Sequence, residues 1–451
     1  MTDGGRSAEV DAADCQSAGR RFESGRPPPE LDPAAIEQCI AVLAALRALA
    51  PDDPRFVAVQ QAAAHLTKHA KKARRRERRR ASVATDRAAI RGTGRAAAYV
   101  SAATALPAAA SPAPGVLRLQ RRCYVCKAPY TQLHAHYHAL CPACAARNYA
   151  ARTATADLAG RRALVTGGRT KIGFATAGAL LAAGADVTIT TRFPRDAADR
   201  YARVPGRERL TIVGLDFRDL RGLLAWIAAR VATAEPLDIL VNNAAQTVWR
   251  PAAYYARLDA AERGALPAPA ALALADFPDR QDEDGTPLDL RPRNSWVLGA
   301  ADVAPVELVE AQVINAIAPF LLASRLRPLL EASAFADRYI VNVTAMEGVF
   351  AYANKQPRHP HTNMAKAALN MFTRTSAPDY AAACIHLVAV DTGWVTQENP
   401  APGKARAEAS GFVPPLDVVD GAARVLAPIW AGVRGAPVSG VLLKDYEPAA
   451  W

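Results

Sequence analysis

Four cysteines stand as two Cys-x-x-Cys pairs, Cys123/Cys126 and Cys141/Cys144, with fourteen residues between the pairs. Four thiolates in that pattern suit a closed tetrahedral zinc site. Such a site is structural, because no coordination position stays open for a substrate. His134, His136 and His138 alternate between the pairs. They offer substitute ligands, but with four cysteines available they are expected on the surface of a strand. A second constellation lies at 163–173, Ala-Leu-Val-Thr-Gly-Gly-Arg-Thr-Lys-Ile-Gly. An apolar run stops at Gly167 and Gly168, and a helical pattern continues from Ile172 through Leu181. Strand, glycine turn and helix in that order present backbone N–H groups to a pyrophosphate.

The chain that must position these groups has 451 residues, 51% of them hydrophobic, and exceeds one ordinary domain. Cys15, Cys39 and Cys384 are scattered, which argues against a disulfide framework. No run of about 18 apolar residues free of charge is expected to span a membrane. The first residues, with Asp3, Arg6, Glu9 and Asp11, have no apolar leader core. A cytoplasmic protein with no membrane contact is the expectation.

Residues 1–32 are polar, carry Pro27-Pro28-Pro29 and read as a disordered tail. Residues 33–95 read as a helical segment with a basic arm. Ile36, Ile40, Leu43, Leu46 and Leu49 recur at helical spacing, Asp32 can cap, and Pro51 ends the pattern. A second helical stretch from Pro54 predicts a hairpin. The net charge of +12 is concentrated at Lys68–Arg80, which holds nine Lys or Arg and one acid, a net of +8. The block could neutralise phosphates on nucleic acid, an idea weakened because no aromatic residue is interleaved to stack on bases. The plain reading is a solvated helix face or a surface for an acidic protein. Residues 96–120, rich in Ala and Pro, read as a linker. A zinc-ribbon-like module at 121–152 is expected to have a core separate from that of the C-terminal two thirds.

From Asp157 onward strand and helix signals alternate. Candidate strands are 163–165, 187–191, 210–215, 239–242, 339–344, 385–390 and 440–443. This predicts an α/β fold with a doubly wound, Rossmann-like parallel sheet. The stretch 158–451 resembles the short-chain dehydrogenase/reductase family. Thr166-Gly167 through Gly173 is similar to that family's Thr-Gly-x-x-x-Gly-x-Gly, with Lys171 in the place of the middle glycine. Asn242-Asn243-Ala244-Ala245 looks like the family's Asn-Asn-Ala-Gly turn. Asp216 follows the third strand, where the family contacts adenine. Gly393 and Thr396 match the turn that closes over nicotinamide, with Thr392 replacing its proline. The resemblance implies Thr166, Gly167, Arg169, Lys171, Ile172, Gly173, Asp216, Asn243, Ala244, Gly393 and Thr396 as cofactor contacts. At the end of the second strand Thr191 and Arg192 replace the acid that would bond an unphosphorylated ribose. With Arg169 and Lys171 the pocket is cationic, so NADP(H) is expected over NAD(H).

The resemblance breaks at the proton-transfer positions. Asn315 matches the family's catalytic asparagine and Lys366 its lysine, which would also touch the nicotinamide ribose. The family's serine position is Ala345, and its Tyr-x-x-x-Lys is Thr362 to Lys366. A phenol titrates near ~10 and an alkyl hydroxyl nearer water's ~15.7. That gap of about five units is worth at most about 7 kcal/mol of proton-donor strength. Thr362 is therefore a poor acid, and Tyr352, Lys355, His359 and His361 are the nearby alternatives, each also readable as a loop residue. Asn243 and Asn315 are 72 positions apart, which implies an insertion at about 246–305. It would serve as a lid or binding loop, an oligomer contact or a disordered segment. The leading expectation is an NADP(H)-dependent oxidoreductase on an unidentified carbonyl or alcohol, with an altered proton-transfer site and a structural zinc. The competing one is a non-catalytic NADP(H) sensor or scaffold whose ribbon and basic arm hold a partner.

Overall fold

The computed structural model describes residues 32–104, 115–263, 276–278, 281–282, 284–353 and 355–451. The expected tail, Asp32 apart, lies outside them. The chain divides into two compact units, Met1–Arg80 and Ala81–Trp451.

In the first unit, helix Pro33–Ala45 starts as the sequence predicts. Asp32 accepts a hydrogen bond from the Ala34 N–H at 3.0 Å, and Pro33 sits in the first turn. It buries no residue, and Ile40 is 60% exposed. The expected hairpin core is therefore not formed by these apolar positions. The next helix, Pro54–Arg91, is one 38-residue element whose last eleven residues belong to the second unit.

In the second unit, Asp86 is the buried residue of that helix. Its carboxylate accepts from the N–H groups of Arg118 and Leu119 at 2.7 and 2.9 Å. The expected linker is instead helical over Gly94–Thr104. Alanine favours helix, and Ala96 and Tyr99 bury against Val413, which offsets the ordering cost. Residues 105–114 of that stretch lie outside the described residues. The cysteine segment is an antiparallel pair, β1 (Val116–Arg122) with β2 (Pro129–Gln132), followed by helix Pro142–Arg152. Its core is not separate. Leu117, Cys123, Tyr137 and Leu140 share one cluster with Ile172, Val395 and Leu416.

The main sheet has eight strands: β3 (Arg162–Thr166), β4 (Asp186–Thr191), β5 (Leu210–Gly214), β6 (Ile239–Asn242), β7 (Arg338–Thr344), β8 (Ile385–Asp391), β9 (Leu442–Lys444) and β10 (Glu447–Ala449). Their order is β10-β9-β8-β7-β6-β3-β4-β5, and every pair is parallel except β9 with β10. Alternate residues feed opposite faces, as the strand period requires. Ala163, Val165, Val341 and Val388 join one apolar cluster, while Leu164, Ile340 and Leu387 join the other. Helices cover both faces, so the strands read as continuous apolar runs. The chain reverses direction across the sheet between β3 and β6, the topological switch point where such folds bind ligands.

Helix 305–325 is long and apolar enough to cross a bilayer by composition. Here Ala318, Leu322 and Ala323 are buried against the sheet.

Candidate functional site

Five adjacent parallel strands end on one edge, at Thr191, Thr166, Asn242, Thr344 and Asp391. At the switch point the Thr166 hydroxyl oxygen accepts from the N–H groups of Asn243 and Ala244, both at 2.9 Å. The Asn243 side-chain amide donates to the carbonyls of Thr166 at 2.9 Å and Gly167 at 3.2 Å. Thr166, Asn243 and Ala244 thus fix the shape of the turn. A Cβ on Gly173 would lie 2.3 Å from the Gly167 carbonyl oxygen, so no other residue fits there. Gly167 has φ +67°, and its missing Cβ would lie 2.9 Å from Ala244 Cα. The helix Lys171–Ala182 that follows has no side-chain cap at Thr170. Its first N–H groups are therefore offered toward the edge, which fits a pyrophosphate. Ile172 turns the other way and packs into two apolar clusters.

The expected cationic pocket is largely neutralised by the protein itself. Lys171 takes φ +55°, a left-handed conformation that glycine adopts freely and a lysine holds at a cost of about 1–2 kcal/mol. Its ammonium does not face an open site: it lies 3.5 Å from both Glu398 and Asp284. Burial works against the charge, but Glu398, Asp284 and Asp282 outweigh it and hold Lys171 above the usual lysine range. Burial likewise opposes the Glu398 carboxylate, which Lys171, Arg250 and the Thr396 hydroxyl nevertheless hold down at about 2. Arg169 donates to Asp196 at 2.6 Å and lies over the Phe193 ring. Asp216 is gripped by Arg218 at 2.5 Å. Arg192 stands differently. Its guanidinium lies 4.3 Å from the centre of the Tyr255 ring, an aromatic supplied by the insertion helix Ala252–Glu262. Among the described residues no carboxylate is within ion-pair distance of it, so it keeps a charge to give a ligand.

On the other side of the switch point, Asn315 sits in a π-helical turn, Val313–Ile317. Its side chain accepts from the Gln246 N–H at 2.7 Å and donates to the Gln246 carbonyl at 3.1 Å. Lys366 is buried and donates to the Val343 carbonyl at 2.8 Å. Burial pulls its pKa down to about 8, opposed only by the charge of Glu347. One helical turn away, the Thr362 hydroxyl is buried without a hydrogen-bond partner, as are the Thr344 hydroxyl and the Gln246 amide nitrogen. Buried polar groups this close to a sheet edge and left unpaired fit a polar ligand.

The remaining proton-donor candidates have contacts of their own. His361 is buried with Nε2 3.3 Å from Glu307, and its Nδ1 is buried without a partner. His359 stacks on Trp296 with ring centres 4.2 Å apart. Tyr352 is 43% exposed, and Lys355 donates to the Met346 carbonyl at 2.9 Å. Gly393 has φ +75° and donates to Asp391 at 2.8 Å, and Thr396 donates to Glu398 at 2.7 Å.

The four cysteine sulfurs lie within 4.8 Å of one another, and Cys126 and Cys141 are 3.7 Å apart. Zn–S bonds of about 2.3 Å in a tetrahedron put sulfurs about 3.8 Å apart, so the cluster fits the ion. The three histidines are not surface residues of a strand. They follow β2, and His138 is buried with Nε2 3.2 Å from the Val413 carbonyl. Burial pushes its pKa down to about 3.

Glu398, Glu307 and Tyr124 escaped sequence reasoning, as did the pairing of Tyr255 with Arg192. Each acts on a partner far off in the chain, and an isolated Glu or Tyr has no spacing signal. Glu398, two residues beyond Thr396, was the one within reach of a motif.

Comparison with known proteins gives the same picture for the sheet. Residues 161–262 match the family model described as short chain dehydrogenase. An uncharacterized protein of Acanthamoeba polyphaga mimivirus is 32% identical over 360 residues, covering 70% of this chain and 75% of that one. Mouse L-xylulose reductase is 42% identical over 96 residues, 21% of this chain and 36% of that enzyme. Chicken D-erythrulose reductase is 44% identical over 94 residues, 20% and 35% respectively. The chain spans about a third of the length of these two reductases. Among solved structures, NADPH-bound carbonyl reductase from chicken fatty liver aligns with a TM-score of 0.45 at 21% identity, over 65% of this chain and 100% of that one. By its glycine turn and the family-model match over residues 161–262, the chain carries a domain of the short-chain dehydrogenase/reductase family.

Proposed function

We propose that the chain is an NADP(H)-dependent oxidoreductase that interconverts a carbonyl and an alcohol, with a structural zinc in its cysteine cluster. The observation that carries this reading is Lys366, a buried ammonium bonded to Val343 at the ligand-binding edge of the sheet. Burying a cation with so little compensation is costly and is characteristic of functional sites. The dinucleotide, when bound, supplies or accepts the hydride. The uncapped turn at 171–173 would hold its pyrophosphate, and Arg192 on Tyr255 a 2′-phosphate.

The proton is the chain's own task. Thr362 is too weak an acid, and Ala345 has no hydroxyl. Lys366, with its pKa near 8, is a competent donor at neutral pH. It would release its proton toward the substrate oxygen, and the unpaired Thr362 hydroxyl one helical turn away would serve as the relay. Asn315 holds Gln246 and so the floor of the cleft. In an enzyme of this kind, Lys366→Met should cost at least 10² in rate while NADPH still binds.

The second reading is a sensor that binds NADP(H) without turnover. It is favoured by the same Ala345 and Thr362, which leave the site without the serine hydroxyl and with an alkyl hydroxyl in place of the phenol. NADPH oxidation with a panel of carbonyl compounds, run beside an NADPH titration, separates the two.

A further inference from the structure

We propose that the long N-terminal helix is a sequence-independent binding element for the major groove of duplex DNA. Lys68, Lys71, Lys72, Arg74, Arg75, Arg76, Arg78, Arg79 and Arg80 all lie on helix Pro54–Arg91, and all nine are exposed. At about 100° per residue these cations cover roughly 240° of the helix circumference. The remaining arc holds Ala70, Ala73 and Glu77. Arg74 and Arg78 form one flank and Arg76 and Arg80 the other, with Lys68, Lys72, Arg75 and Arg79 along the crest between them.

That distribution selects the partner. A helix lying on a flat anionic surface, such as a bilayer, presents one face and leaves the far flank in water. A helix of about 10–12 Å diameter seated in a groove about 12 Å wide has phosphates on both sides and can use both flanks. Lys68 to Arg80 spans about 18 Å, along which B-DNA presents roughly ten phosphates at one per 1.7 Å. Nine cations match that number closely. The A-form RNA major groove is too deep and narrow to admit them. Between Lys68 and Arg80 only His69 could read or stack on a base without giving up a phosphate contact. With the nine cations spent on phosphates, binding should depend little on sequence.

The helix also gains from such a partner. Lys68/Lys72, Lys71/Arg75, Lys72/Arg76, Arg74/Arg78, Arg75/Arg79 and Arg76/Arg80 are like-charge pairs four residues apart, each of which weakens the helix. Phosphates removing this repulsion should raise its helicity.

The test is fluorescence anisotropy of the full chain with a labelled 20-base-pair duplex across a salt series, with circular dichroism in parallel. Affinity should fall by about 10³–10⁵ between 50 and 200 mM salt, vary little with sequence, and be accompanied by increased helicity. Arg74→Gln with Arg78→Gln, and separately Arg76→Gln with Arg80→Gln, should each lower the slope of log affinity against log salt by about 1.8. Absence of binding at 50 mM salt would overturn the proposal. So would loss from one flank pair only, or equal affinity for phosphatidylserine vesicles, duplex RNA or polyglutamate.

Discussion

The Tyr124 hydroxyl oxygen, between the first two cluster cysteines, accepts a hydrogen bond from the Trp394 N–H at 2.9 Å. Trp394 follows Gly393 in the loop that leaves β8, and Val395 and Leu416 from the same region pack into the cysteine module's core. Arg152 of that module reaches Asp417 at 2.6 Å and Asp420 at 3.1 Å, and Arg424 donates to Asn148 at 2.6 Å. The cysteine module and the carboxyl edge of the sheet are one packed structure. Tyr124→Phe should raise the Kd for NADPH about 2–10-fold, the scale of one neutral hydrogen bond. An unchanged Kd in a fluorescence titration would mean that this contact does not hold the loop for the cofactor.

Purified protein should carry about one zinc per chain. Cys141→Ser should lose it and lower the melting temperature of the whole second unit, because Cys141 lies in the core shared with Ile172 and Leu416. Elemental analysis gives the first number and calorimetry the second. An intact sheet transition beside an unfolded ribbon would show that the cores are independent.

NADPH should bind more tightly than NADH. Arg192→Ala should narrow that gap by about 1–3 kcal/mol, the worth of a charge-assisted contact. Tyr255→Leu should narrow it less, since it removes the ring under the guanidinium but not the charge. Equal affinities in the unmodified chain would remove the 2′-phosphate assignment.

Glu398 supplies a pH test. Its folded pKa of about 2 lies below the ordinary carboxylate value, so its contribution to stability is present above about pH 4.5 and lost as pH falls toward 2. Glu398→Gln should therefore destabilise the chain by an order of 1–3 kcal/mol at pH 7, and the difference should vanish near pH 2. A pH-independent difference in denaturant titrations would show that the loss is one of packing rather than charge.

Much of the sheet was legible in the sequence because parallel strands buried on both faces are apolar runs, and glycine turns punctuate them. The candidate strands from β3 to β8 match the observed ones within a residue or two. Strand β10 was missed, because Glu447-Pro448-Ala449 is neither apolar nor rich in strand formers. The helix at Gly94–Thr104 was hidden by an alanine-rich composition that suits a linker as well as a helix. At the candidate site, Asn315, Lys366 and the glycine turn were singled out through motifs. That Lys171 turns to Glu398 and Asp284 was not visible, since it depends on charges 227 and 113 positions away.

Catalysis through Lys366 is tested most directly by the pH dependence of NADPH oxidation by the full chain with a panel of carbonyl compounds, from pH 6 to 9.5. Reduction needs the ammonium form, so the rate should be constant at low pH and fall as pH rises through about 8. Lys366→Met should abolish that titration along with at least 10² of the rate. Tight NADPH binding with no carbonyl reduced at any pH, or full activity after the loss of Lys366, would contradict it.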